Sequence, residues 1–174
     1  MKVNNEQLKK IYFGAYRYTE TKDGYLQSYQ FDEEQTEIFK KQSDFWYERC
    51  NACNSKTLEF VTKANKVSFD YKMLWIGSKD TVEAYVNGRL VQIHYIKNLK
   101  KSGRIEFDLS SKAIDSKPLE KNVIIYLPAD ATMGIKNFEI DGKYKVNDLL
   151  LKGCSLSFMS TRALTSLGTI FSGV

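Results

Sequence analysis

Cys50-Asn51-Ala52-Cys53 is the one close pair of thiols in the chain, and a structural zinc would demand two more ligands at comparable spacing. Cys154 and His94, the third cysteine and the single histidine, lie far from that pair and form no second one. Ordinary thiols in a reducing compartment are the expectation, with no metal. A serine nucleophile needs a base to draw its proton and donors to hold the oxyanion. The only base of that kind, His94, sits between Ile93 and Tyr95 in an alternating run, where a strand side chain on a sheet face is expected. No Gly-x-Ser-x-Gly elbow, phosphate-cradling glycine loop or metal-ligand cluster is written in the sequence. Glu33 with Glu34, and Asp108 with Asp115, fall on a capping segment and a strand end, where helix-dipole and solvation roles are expected. The expectation is a chain with no catalytic residue and no cofactor.

Aromatic side chains offer a different chemistry. Exposed rings serve as flat platforms for sugars, and Trp46, Trp75 and Tyr95 would do so if they face outward; core packing is the ordinary fate of rings this large. Trp75 follows an alternating run and precedes Gly77-Ser78, which puts it at a sheet's rim.

The elements that must position these residues are mostly strands. In 81–95 (TVEAYVNGRLVQIHY), Asn87-Gly88 separates two β-rich arms, and both residues tolerate the positive φ of a type I′ turn. Val82, Ala84 and Val86 alternate with polar or amphipathic neighbours, so one face is buried. Similar runs occur at 56–62, 66–74, 103–109 and 122–128. A first strand is expected at 10–17, where Gly14 marks a bulge or a close approach. A second hairpin is expected over 12–31 around Thr21-Lys22-Asp23-Gly24, and a last strand pair around 134–140 with Asp141-Gly142 as its turn. Asp32-Glu33-Glu34-Gln35 has the form of a capping box and opens a helical stretch with a break near Gln42-Ser43. Residues 1–9 are polar and read as a frayed lead-in, and 110–121 as a polar connection. The fold expected is all-β with one or two short helices, an antiparallel β-sandwich of jelly-roll type.

At 174 residues the chain suits one domain, placed at 1–148, followed by an atypical tail at 149–174. Its net charge of +5 is dispersed among 21 acids, which excludes nucleic acid as a favoured partner; Lys97, Lys100, Lys101 and Arg104 read as a solvated loop. Residues 1–10 lack the apolar core of a secretion signal, so a cytoplasmic location is expected. The tail keeps Lys152 and Arg162 among its apolar residues and is not expected to span a membrane.

The order of these pieces carries a resemblance. FGAYR, DGYLQSYQF, DEEQTEIF to FWYERC, KTLEFVTKANKVSFDYKML, VEAYVNGRLV, RIEFDL and KNVIIYLP followed by IKNFEIDG resemble the N-terminal β-sandwich of bacterial SGNH/GDSL-type esterases, over about residues 11–145. The resemblance implies a non-catalytic accessory domain beside an acyl-ester hydrolase acting on acylated substrates, acylated carbohydrates among them. In that family a Gly-Asp-Ser motif follows the sandwich. Here Gly153-Cys154-Ser155-Leu156 stands in its place, and the downstream Asp and His have no counterpart. A truncated gene, or a frame shifted near Leu151, would explain the departure. The expected partners are a missing or separate catalytic domain, a glycan, or a second copy of the chain meeting it through a bared apolar patch to form a homodimer. A stand-alone carbohydrate-binding or protein-interaction module is the alternative.

Overall fold

Asn4 and Asp32 fix the starts of the first two helices before any packing is considered. Each side chain accepts from the backbone N–H three residues on, at Gln7 (2.9 Å) and Gln35 (2.7 Å). Each glutamine side chain accepts in return from the cap's own N–H, so two otherwise orphaned donors are satisfied per helix. The computed structural model describes residues 1–78, 80–110 and 120–147. In chain order these form β1 (Lys2–Val3), α1 (Asn5–Ile11), β2 (Tyr12–Phe13), β3 (Arg17–Glu20), β4 (Leu26–Tyr29), α2 (Glu33–Gln42) and α3 (Asp44–Cys50). There follow β5 (Thr57–Thr62), β6 (Lys66–Ile76), β7 (Thr81–Val86), β8 (Arg89–Tyr95), a 3-10 turn at Ile96–Asn98, β9 (Ser102–Asp108), β10 (Lys121–Tyr126), β11 (Ala131–Ile140) and β12 (Tyr144–Val146).

The strands make two antiparallel sheets. The first runs β3-β4-β11-β6-β9 with β1 added beside β11, and the second runs β12-β5-β10-β7-β8 with β2 added beside β5. Alternation buries one face of each: Val67, Phe69, Tyr71 and Met73 of β6 look inward, as do Val82, Ala84 and Val86 of β7. The inner faces share one core. Phe138 of the first sheet stacks on Phe69 beside it and meets Phe60 of the second sheet edge-on, both at 5.9 Å between centroids. The all-β sandwich with short helices is therefore what the chain adopts.

The central hairpin forms as its turn chemistry requires, with φ of +52° at Asn87 and +77° at Gly88. Four expectations are corrected. Residues 1–9 are not frayed: β1 pairs with β11, the N-terminal ammonium donates to the Ile140 carbonyl, and Asn4 caps a helix. That helix takes Lys10 and Ile11 out of the expected first strand, leaving only Tyr12–Phe13 paired to β5. Asp141-Gly142 does not close a hairpin, because β12 crosses to the other sheet and pairs with β5. Arg104, read as part of a solvated loop, lies in β9 and donates to Asp70, Ser68 and Glu139. The tail at 149–174 and most of the connection at 110–121, Pro118 and Asp115 included, lie outside the described residues.

Candidate functional site

Ser43 ends α2 and starts α3: its hydroxyl accepts from the Trp46 N–H at 3.2 Å. Helical spacing then sets Phe45 and Arg49 on one face, four residues apart. The Arg49 guanidinium lies 3.8 Å over the Phe45 ring and 5.5 Å from that of Trp75, and Trp46 meets Phe45 edge-on at 5.6 Å. Arg49 also approaches the Asp130 carboxylate at 3.9 Å. The rim beneath is held by backbone bonds: Gly77 N–H donates to the Asp130 carbonyl, and Asp130 N–H to the Asp80 carboxylate, both at 2.9 Å. A Cβ at Gly77 would stand 2.4 Å from the Trp75 ring and 2.6 Å from the Asp130 carboxylate, so a side chain there would displace the ring or the carboxylate.

Two of the three aromatics singled out in the sequence thus meet in one cluster. Trp46 is 49% exposed and its neighbour Phe45 54%, against the core packing ordinarily expected, and Trp75 is half-buried at the rim as its place before Gly77 indicated. Tyr95 is also exposed, at 47%, but it lies on the second sheet's outer face with the Lys97 ammonium 5.4 Å from its ring. Arg49 and Asp130 are the polar members that sequence reasoning missed; the i, i+4 spacing from Phe45 was the available signal for Arg49.

The thiol pair belongs to a second cluster. Lys56 is 1% exposed and donates to the Ser28 and Ala52 carbonyls at 2.8 and 2.9 Å, stitching β4 to the loop after α3. Burial pulls its pKa below the ordinary lysine value, with the nearby Cys53 and Cys50 acting weakly the other way. Burial pushes both thiols up, so they are protonated and inert at neutral pH. Among the described residues no group of three His, Cys, Asp or Glu side chains could hold a metal. His94 packs edge-on against Phe107 at 4.9 Å, and its Nε2 lies 3.0 Å from the Glu106 carbonyl and 3.1 Å from the Gln92 amide nitrogen, joining β8 to β9 where the two sheets end side by side.

A cavity of about 110 Å³, lined by Lys10, Tyr12, Phe13, Glu59 and Asn147 among others, opens between the ends of β2 and β12. It is small beside the roughly 300 Å³ at which drug-sized ligand sites begin. No helix among the described residues is long and apolar enough to cross a membrane, which says nothing of a β-barrel.

Comparison of the sequence with protein-family models and with curated proteins gave no match. Solved structures do match. A salicylyl-acyltransferase, SsfX3, from a tetracycline biosynthetic pathway superposes with a TM-score of 0.60 at 14% identity, over 77% of this chain and 37% of its own. An acetyl xylan esterase, Est2A, from the rumen bacterium Butyrivibrio proteoclasticus gives 0.37 at 14% identity, over 53% and 24%. A secreted serine protease, VesC, from Vibrio cholerae gives 0.32 at 16% identity, over 51% and 18%. The first of these shows a shared β-sandwich fold, and the chain spans little more than a third of that neighbour's length.

Proposed function

We propose that this β-sandwich is a non-catalytic accessory domain of an SGNH/GDSL-like esterase of acylated substrates, acylated carbohydrates among them. The observation that carries the reading is the fold likeness to an acyltransferase over 77% of the chain but only 37% of the neighbour, which is what a domain beside a larger enzyme would give. The rim cluster of Phe45, Trp46, Trp75, Arg49 and Asp130 suits a shield or an extension of a neighbouring substrate cleft, since it joins flat rings to a planar cation. A cytoplasmic location goes with the same reading, in keeping with two buried free thiols.

The test has two parts. The encoding DNA is read in all forward frames on both sides of the coding segment, and hydrolysis of 4-nitrophenyl acetate is measured for the chain alone and with any hydrolase domain found there. The chain alone is expected to give only the spontaneous rate. A neighbouring frame is expected to supply Gly-Asp-Ser with a downstream Asp and His. Turnover by the chain alone, or the absence of such a frame, sinks the reading.

The exposed ring cluster favours a second reading, a stand-alone glycan-binding module. It predicts chemical-shift changes on titration with soluble oligosaccharides that are lost in Trp75→Ala and weakened in Trp46→Ala; no shift at the cluster with any sugar would end it.

A further inference from the structure

Arg49 gives none of its donors to the chain. A guanidinium carries five N–H groups in one plane, yet among the described residues Arg49 makes no hydrogen bond. Its nearest carboxylate oxygen, Oδ1 of Asp130, stands 3.9 Å from Nε, beyond hydrogen-bond reach. The side chain is nevertheless only 35% exposed, because the rings of Phe45 and Trp75 cover it and hold it flat. Other arginines of the fold are used differently. Arg17 stacks on Tyr29 at the same 3.8 Å and still donates to the Phe31 carbonyl and the Thr36 hydroxyl, while Arg104 donates to Asp70, Ser68 and Glu139. Asp130 is tied by its backbone on both sides, to Gly77 and to Asp80, so its loop brings the carboxylate no closer. Beside this idle fork stand the two exposed rings of Phe45 and Trp46, nearly perpendicular at 89°.

We propose that this cluster is a receptor for a carboxylate carried on a sugar ring, a uronate residue of an acidic glycan. The proposal rests on the glycan-binding reading of the ring cluster and narrows it to one ligand class. Arg49 takes the carboxylate, and the exposed rings take the apolar face of the sugar. A planar guanidinium meets two carboxylate oxygens with two parallel N–H bonds, a fit that a sugar hydroxyl does not reproduce. Stacking on Phe45 and Trp75 fixes the plane of that fork before a ligand arrives, so little side-chain freedom is lost on binding. Arg49 and Trp46 both pack on Phe45, so a ligand of one or two sugar rings touches both. Asp130 opposes the incoming charge. At 3.9 Å from Nε it sets a like charge near the ligand's carboxylate, which leaves a bare anion too weakly held and favours one whose ring also stacks. The chain's net charge of +5 favours approach of an acidic glycan.

Chemical-shift titration of the full chain with trigalacturonate, and with xylotriose bearing a single glucuronate, tests this, each acid set against its own methyl ester. The ester keeps the sugar and removes the charge. The acids are expected to bind at least about tenfold more tightly than the esters, the scale of hydrogen bonds to a charged group. Arg49→Gln is expected to abolish that preference, and Arg49→Lys, which keeps the charge and loses the fork, to reduce it. Asp130→Asn is expected to increase it by removing the opposing carboxylate. The acid-to-ester comparison on the unaltered chain decides the matter even where an Arg49 variant fails to fold by circular dichroism. Acids and esters bound alike overturn the proposal and leave the glycan-binding reading in place. Binding of neither overturns it too, and titration with neutral oligosaccharides then decides the glycan-binding reading separately. A preference for acids that survives Arg49→Gln in a folded variant overturns it equally.

Discussion

At the scale of the residue, Lys56 is the least expected side chain. An ammonium 1% exposed and bonded to two carbonyls is stabilised by dipoles, with two protonated thiols rather than a carboxylate for neighbours. Because its folded pKa is lowered, the unfolded chain holds more protons between that value and the ordinary 10.5, so the lysine's contribution to stability rises with pH across that window. The thiols act oppositely: their folded pKa values are raised, so what they contribute falls as pH climbs past 9.0. Comparison of the wild type with Lys56→Met cancels most of the thiol effect. The wild type's advantage in urea midpoint is expected to grow between neutral pH and about pH 10; a flat or shrinking difference would mean the ammonium is not desolvated. Nothing near Lys56 in sequence announces this burial, because Ser28, which holds it, is supplied by another hairpin. Trp46 was legible only as an alternative for the same reason: whether a ring on a short helix is covered depends on what packs over that helix.

Elements with local chemistry were legible. Asp32 with Gln35, Ser43 at the helix break and Asn87-Gly88 each carry their instruction within four residues, and each forms as read. Two glycines separate conformation from space. Gly88 and Gly14 have nearly the same φ, +77° and +78°, but a Cβ at Gly88 would meet nothing within 4 Å, whereas at Gly14 it would stand 2.4 Å from the Ser55 carbonyl oxygen. Gly88→Ala should therefore cost only the left-handed penalty of about 1–2 kcal/mol. Gly14→Ala should cost that plus roughly 1–3 kcal/mol for displaced backbone. Chemical denaturation of the two variants side by side gives the comparison, and equal losses would show that the contact with Ser55 yields freely. The sequence left Gly14 open between a bulge and a close approach, and the close approach is what the fold imposes.

At the scale of the molecule, the winding was the part least legible. β1 joins β11 through Lys2 and Glu139, and β12 leaves β11 to cross to β5, pairings that leave no mark on either strand's own pattern. The sandwich itself was readable, since each strand's alternation demands a second apolar layer. That demand is met by one core spanning both sheets, so neither sheet has a stable state alone, and the two should unfold together. Phe138 tests this, because it touches Phe69 in its own sheet and Phe60 in the other, with no exposure. Phe138→Ala is expected to cost about 3–5 kcal/mol, a large share of the roughly 5–15 kcal/mol that a domain of this kind possesses. Tryptophan fluorescence, which includes Trp75 at the end of the first sheet, and far-ultraviolet circular dichroism, which sees both sheets, should shift to lower denaturant by the same amount and stay superimposed. Separation of the two transitions would mean that the sheets hold independent cores, and that the Phe60–Phe138 contact joins two units rather than closing one.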